Sequence, residues 1–142
     1  LQGNLAELLG QDKRAEVAYA RAVDLDPKDV DMRMRYGLVL MRVGRNEPAI
    51  TELEIVRDLR PQDGQSRNSL ATVYEREKRF KEAEAELMAI TDTLPDQPQP
   101  WSRLAQFYLR RGRLDKATEA ESRAKALQGK DRVMRPLPPS KR

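Results

Sequence analysis

Three arginines, Arg42, Arg76 and Arg110, stand 34 residues apart. A guanidinium is a planar, forked donor suited to carboxylates and backbone carbonyls. Arg35 and Arg103 add two more on a neighbouring line, seven residues upstream of Arg42 and Arg110. A second group, Leu8, Met34, Leu38 and Met41, is apolar, and methionine adapts readily to apolar side chains brought against it. The rest of the chemistry is narrow. The chain has no histidine and no cysteine, so the commonest general bases, nucleophiles and metal ligands are missing. Its carboxylates are scattered, and no glycine-rich loop of the kind that cradles phosphates is present. These features predict no catalytic residue, no bound cofactor and no metal.

The elements that must position these side chains follow from the same period. Pro27, Pro61 and Pro95 stand 34 residues apart, each preceded by a small or apolar residue five positions earlier: Ala22, Val56 and Ile90. Alanine recurs seven positions before those, at Ala15, Ala49 and Ala83, with Tyr19, Leu53 or Leu87 between. Further upstream the pattern gives Gly3, Gly37 and Ala71, then Ala6, Leu40 and Tyr74, then Gly10, Gly44 and Lys78. A fourth copy supplies Trp101, Leu104, Ala105, Tyr108, Gly112, Ala117 and Ala124, with Gly129 as its expected helix stop. Apolar residues three and four apart within each copy predict paired helices. The helices are expected near 2–9, 12–25, 29–43, 46–60, 64–77, 80–93, 98–111 and 114–128. Gly10, Gly44 and Gly112 mark the turns between partners, and Asn46 before Glu47-Pro48 reads as an N-cap.

The sequence resembles the tetratricopeptide repeat family, whose 34-residue pattern is Trp-x2-Leu-Gly-x2-Tyr, then Ala-x3-Phe, then Pro. Copy four matches with Trp101-x2-Leu104-Ala105-x2-Tyr108 and Ala117 but has Glu121 where the aromatic belongs. Copies three and two match with Leu70-Ala71-x2-Tyr74, Ala83-x3-Leu87, Pro95 and Tyr36-Gly37-x2-Leu40, Ala49-x3-Leu53, Pro61. Copy one retains Gly3, Ala15-x3-Tyr19 and Pro27. The resemblance implies an all-α, right-handed α-solenoid of four tandem helix–turn–helix units that binds other proteins. The repeats are assigned to 1–29, 30–63, 64–97 and 98–129, the first lacking its early turns and the last acting as a cap. A start inside the first helix predicts the C-terminal module of a longer array.

Charge is informative once placed. Residues 130–142 carry five bases and one acid, which accounts for the whole formal excess of +4. The basic balance therefore belongs to a proline-rich tail, expected to be disordered, and a basic nucleic-acid-binding body is not supported. Pro136-x-x-Pro139-x-Lys141 within it has the spacing of polyproline-groove ligands. Contact of this tail with nucleic acid, an acidic membrane or a polyproline-reading domain is the alternative function. Neither a membrane span nor a signal peptide is visible, and a cytoplasmic location is expected.

In the family that the repeats resemble, the first helices of successive units line a groove that receives partner proteins. Carried onto this chain, that face gives Leu8, Met34, Arg35, Leu38, Met41, Arg42, Asn68, Thr72, Arg76, Arg103, Gln106 and Arg110. Two structural alternatives compete with binding. The arginines lie near helix C-termini, where they complement the dipole and pair with acids such as Glu7 and Glu75. The methionines and leucines fit equally between helices. A lysine-and-asparagine carboxylate clamp known in some members is not expected, since Met34 and Leu38 occupy its places. The expected function is a non-enzymatic adaptor for an amphipathic helix or an acidic–hydrophobic segment, serving complex assembly, motility or secretion in a bacterium.

Overall fold

A computed structural model describes residues 2–134 and Pro139; for residues 2–9 it describes the backbone alone. The tail motif Pro136-x-x-Pro139-x-Lys141 therefore lies largely outside the described residues. Among those described there are seven helices and no strand: α1 (Gln2–Leu25), α2 (Val30–Arg42), α3 (Asn46–Leu59), α4 (Gly64–Arg76), α5 (Phe80–Thr93), α6 (Pro98–Arg110) and α7 (Leu114–Met134). The chain packs as two compact units, Leu1–Glu86 and Leu87–Arg142, with the division inside α5.

Three turns join helices into pairs, and each closes in the same way. Arg45 N–H donates to Leu40 O at 2.9 Å, Arg79 N–H to Tyr74 O at 2.8 Å and Arg113 N–H to Tyr108 O at 2.9 Å. The residue before each donor has positive φ: Gly44 at 82°, Lys78 at 58° and Gly112 at 70°. This is the Schellman arrangement, which satisfies the last helical carbonyls with backbone N–H groups from beyond the helix. Lys78 adopts a conformation that costs any side-chain-bearing residue roughly 1 kcal/mol. Each accepting carbonyl belongs to a buried, bulky residue, so core packing fixes where the turn closes.

Copy one departs from this, and the expected turn at Gly10 is absent. The helix α1 runs unbroken through Gly10, giving seven helices in place of eight. At the position of Leu40, Tyr74 and Tyr108 the first copy has Ala6. With no bulky residue there to anchor a reversal, continuing the helix satisfies the backbone more simply. The packing consequence is measurable. Ala49, Leu53 and Val56 of α3 are 0% exposed, whereas their register partners Ala15, Tyr19 and Ala22 in α1 are only half-buried.

At the other end α7 also outruns expectation. It passes Gly129 without a positive φ and continues to Met134, so residues 130–134 are helical rather than tail. Glycine permits a stop but does not force one. The buried face of α7 is made of Ala117, Ala120 and Ala124, with Glu121 exposed.

N-caps explain where helices begin. Asp29 Oδ1 accepts from Met32 N–H at 3.1 Å, and 34 residues later Asp63 Oδ1 accepts from Gln65 N–H at 3.0 Å. Gln97 replaces them before α6 and makes no side-chain cap, Pro98 supplying the first-turn preference instead. Asn46 does not cap α3 as expected. It is the first helical residue, and its Nδ2 donates to Glu77 Oε1 at 2.7 Å.

Candidate functional site

The exposed side of α2 and α4 is defined by what the other side does. Met34, Gly37, Val39 and Leu40 of α2 and Ser66, Leu70, Ala71, Val73 and Tyr74 of α4 are buried. A Cβ placed on Gly37 would lie 3.0 Å from Leu53 Cδ2, so a missing side chain allows α2 to sit close to α3. What remains outward on α2 is Asp31, Arg35, part of Leu38 and Arg42. On α4 it is Gln65, part of Ser69, Thr72 and Arg76, at the same positions of the repeat.

Several of these groups already hold partners. The Arg76 Nη1 donates to Met41 O at 2.8 Å and so caps the C-terminus of α2 from α4. Arg42 pairs with Asp12 at 3.2 Å, and Arg60 with Asp31 at 2.8 Å. The hydrogen bond and charge of Arg60 hold the Asp31 carboxyl below the usual carboxylate range. Thr72 Oγ1 donates to Asn68 O at 3.1 Å, a bond internal to α4. The reading of the arginines as helix-terminus partners thus holds for Arg76. Arg35 is exposed and Leu38 half-buried beside them.

The apolar patch is smaller than the sequence predicts. Met34 is 7% exposed and belongs to the core, because it stands three residues before Gly37 on the side that packs inward. Leu38 and Met41 are half-buried, as is Asn68, and the side chain of Leu8 lies outside the described residues. In the second unit, α6 carries Arg103, Gln106 and Arg110 outward, with Leu109 also exposed.

Beneath the α2–α4 face runs a layer of ion pairs that sequence reasoning missed. Arg33 Nη1 meets Glu52 Oε2 at 2.8 Å, and 34 residues on Arg67 Nη1 meets Glu86 Oε2 at 2.8 Å. Glu86 also accepts from Arg57. Arg33 Nε donates to Pro27 O at 2.7 Å, Arg67 Nε to Pro61 O at 3.2 Å, and Trp101 Nε1 repeats the bond to Pro95 O at 2.9 Å. In the last copy the acid is gone, replaced by Ala120, and the Trp101 ring instead lies 5.0 Å from the Arg123 guanidinium. The signal was available: Arg33–Arg67 and Glu52–Glu86 each stand 34 residues apart.

Tyr74 completes this layer, its hydroxyl donating to Glu54 Oε1 at 2.5 Å. Burial first, and then the Glu54 carboxylate, push the Tyr74 phenol far above its ordinary value of 10.0. Burial and Glu16 move Tyr36 in the same direction. The folded chain therefore holds these protons to higher pH than the unfolded chain. Stability present below the ordinary phenol value is lost as pH rises beyond it. The unfolding midpoint should fall between about pH 9 and about pH 11, and fall less in Tyr74→Phe. Equal losses in the two proteins, read by circular dichroism, would contradict this assignment.

Among the described residues, no cluster of acidic, histidine or cysteine side chains is arranged to hold a metal ion, and no helix is long and apolar enough to cross a membrane. What the face can do chemically is present guanidinium, hydroxyl and amide donors around a small apolar spot. No curated protein matches the chain. Solved structures with the same fold include a MamA RS-1 ArsTM double mutant at 21% identity and TM-score 0.78, covering 91% of this chain and 72% of that one. MamA residues 41 to the end from Desulfovibrio magneticus RS-1 give 21% identity and TM-score 0.77 over 89% and 71% of the two chains. MamA MSR-1 gives 20% and 0.73 over 86% and 70%. Family models described as tetratricopeptide repeat match residues 1–29 and 37–98. With its helix pairs, recurring Schellman turns and 34-residue register, the chain belongs to the tetratricopeptide repeat family.

Proposed function

We propose that this chain is a non-enzymatic adaptor that receives a segment of another protein on the outward face of α2 and α4. Repeat proteins of this kind serve as protein-interaction scaffolds, because stacked units leave an extended surface free of core duties. One observation carries the reading here. Arg35, Leu38 and Arg42 of α2 and Thr72 and Arg76 of α4 point away from the core on two helices that touch each other, while the opposite sides are buried. A partner segment with carboxylates beside an apolar residue suits that mixture: guanidiniums bind carboxylates in bidentate fashion, and Leu38 with Met41 offers the apolar contact.

Capture from a cell lysate tests this. The parent chain is compared with an Arg35→Glu/Leu38→Gln variant, the glutamine being native to this register at Gln106. Arg76 is left intact because it caps α2. At least one protein is expected to be held by the parent and reduced roughly tenfold or more with the variant, which corresponds to about 1.4 kcal/mol. Identical capture by both, with unchanged helicity, would remove this face from consideration.

A further inference from the structure

The turn between α6 and α7 presents a surface that its counterparts lack. All eight residues from Leu109 to Lys116 are exposed, including Arg110, Arg111, Arg113 and Lys116. Four bases against the one acid, Asp115, leave this segment at +3. The same eight positions hold two bases and one acid at 41–48, and four bases and three acids at 75–82, so each of those turns carries +1. The apolar content differs as well. Leu109 is 52% and Leu114 64% exposed, whereas the apolar residues in their register, Met41 and Phe80, are half-buried. We propose that this turn docks the chain on an anionic lipid surface, its bases meeting headgroup phosphates while the two leucines enter the boundary with the acyl chains.

The form of the turn favours a lipid surface over other anionic partners. With all eight residues exposed, nothing walls the leucines in, so they stand on a tip and offer no groove to a peptide. Bases alone would suit the phosphates of a nucleic acid, but leucines beside them gain from a surface with an apolar layer beneath its phosphates. The tip is also held in one conformation. Arg113 N–H donates to Tyr108 O at 2.9 Å and Gly112 N–H to Leu109 O at 3.0 Å, with Gly112 at a φ of 70°. Arg113 and Lys116 lie 5.4 and 5.5 Å from the centroid of the buried Tyr108 ring, which fixes two cations at one place. A preformed tip loses little conformational freedom on docking. Its exposure is a property of the turn, since Arg42, Gly44, Arg76 and Lys78 are exposed in copies that a further pair follows. Moreover, α7 runs straight through 128–131, where copies two and three turn into the next pair. Among the described residues no in-register helix is therefore set against the leucines.

Flotation of the full chain with phosphatidylcholine vesicles, with or without about 30% phosphatidylglycerol, tests this. Binding is expected with the anionic lipid alone. Leu109→Ser/Leu114→Ser should weaken it roughly tenfold or more, and so should Arg111→Gln/Lys116→Gln, with circular dichroism confirming that each variant keeps its helicity. A dye gives a second reading. The chain has no cysteine, so an environment-sensitive fluorophore can be attached at Leu114→Cys, with exposed Thr51→Cys on α3 as the control. Emission should shift to the blue at position 114 on anionic vesicles and stay unchanged at position 51. Absence of binding to the anionic vesicles would overturn the proposal. Binding that the leucine variant retains in full would overturn it too, by assigning the contact to the basic tail or to charge alone. Duplex DNA held by the parent and by the leucine variant, but lost with Arg111→Gln/Lys116→Gln, would show a nucleic-acid surface instead.

Discussion

Replacing Glu86 with glutamine is expected to lower the stability of the fold by about 3–5 kcal/mol, the range seen when one partner of a buried ion pair is removed. Glu86 is 6% exposed and is the shared acceptor for Arg57 of α3 and Arg67 of α4. Burial opposes the charge on Arg57, but the hydrogen bonds that it donates to Glu86 and Asp58, together with the charges of those two acids, outweigh burial and hold it protonated. Glutamine keeps the shape and one acceptor oxygen but takes the carboxylate from half-buried Arg67 and leaves half-buried Arg57 with only the exposed Asp58 as counter-charge. Denaturant unfolding of Glu86→Gln beside the control Glu82→Gln separates this from a generic surface effect, since Glu82 is exposed and pairs with Arg79 three residues away. A loss below about 1 kcal/mol for Glu86→Gln, typical of exposed pairs, would contradict the assigned role.

The second large effect is expected at Phe107, where truncation to alanine should cost about 3–5 kcal/mol. Phe107 is 1% exposed and the largest fully buried side chain among the described residues. Its ring meets that of Tyr108 edge-on, with centroids 5.6 Å apart. In the same unit the buried residues of α7 are alanines, so a cavity at Phe107 cannot be filled by large neighbours from that helix. Calorimetric or circular-dichroism melting of Phe107→Ala should show a marked drop. A variant within about 1 kcal/mol of the parent would mean that this helix pair does not depend on its aromatic core.

The repeat made most of the fold legible, because a position that recurs at 34 residues recurs with the same burial. Ala49, Ala83 and Ala117 are all buried, as are Leu40, Tyr74 and Tyr108. The sequence was least informative where one copy departs from the others. Gly10 reads as a turn beside Gly44 and Gly112, yet turn closure depends on a large residue four positions upstream, and Ala6 is small. Gly129 misleads in the same way, since glycine allows a helix to end without requiring it. At the candidate face the register was legible but the depth was not. Met34 and Leu38 are four residues apart on one helix side, and only the placement of neighbouring helices puts the first inside and leaves the second half-exposed. The capping bond from Arg76 to Met41 O could not be read either, since it joins groups 35 residues apart through backbone geometry.

The proposed binding role of α2 and α4 can be tested most directly with a photo-crosslinking amino acid placed at position 38, at position 72, or at exposed Thr51 on α3 as a control. Irradiation in the native cell extract is expected to link positions 38 and 72 to the same second protein and to leave position 51 unlinked. Links that form from position 51 while 38 and 72 stay unmodified would contradict a partner-binding face on these two helices.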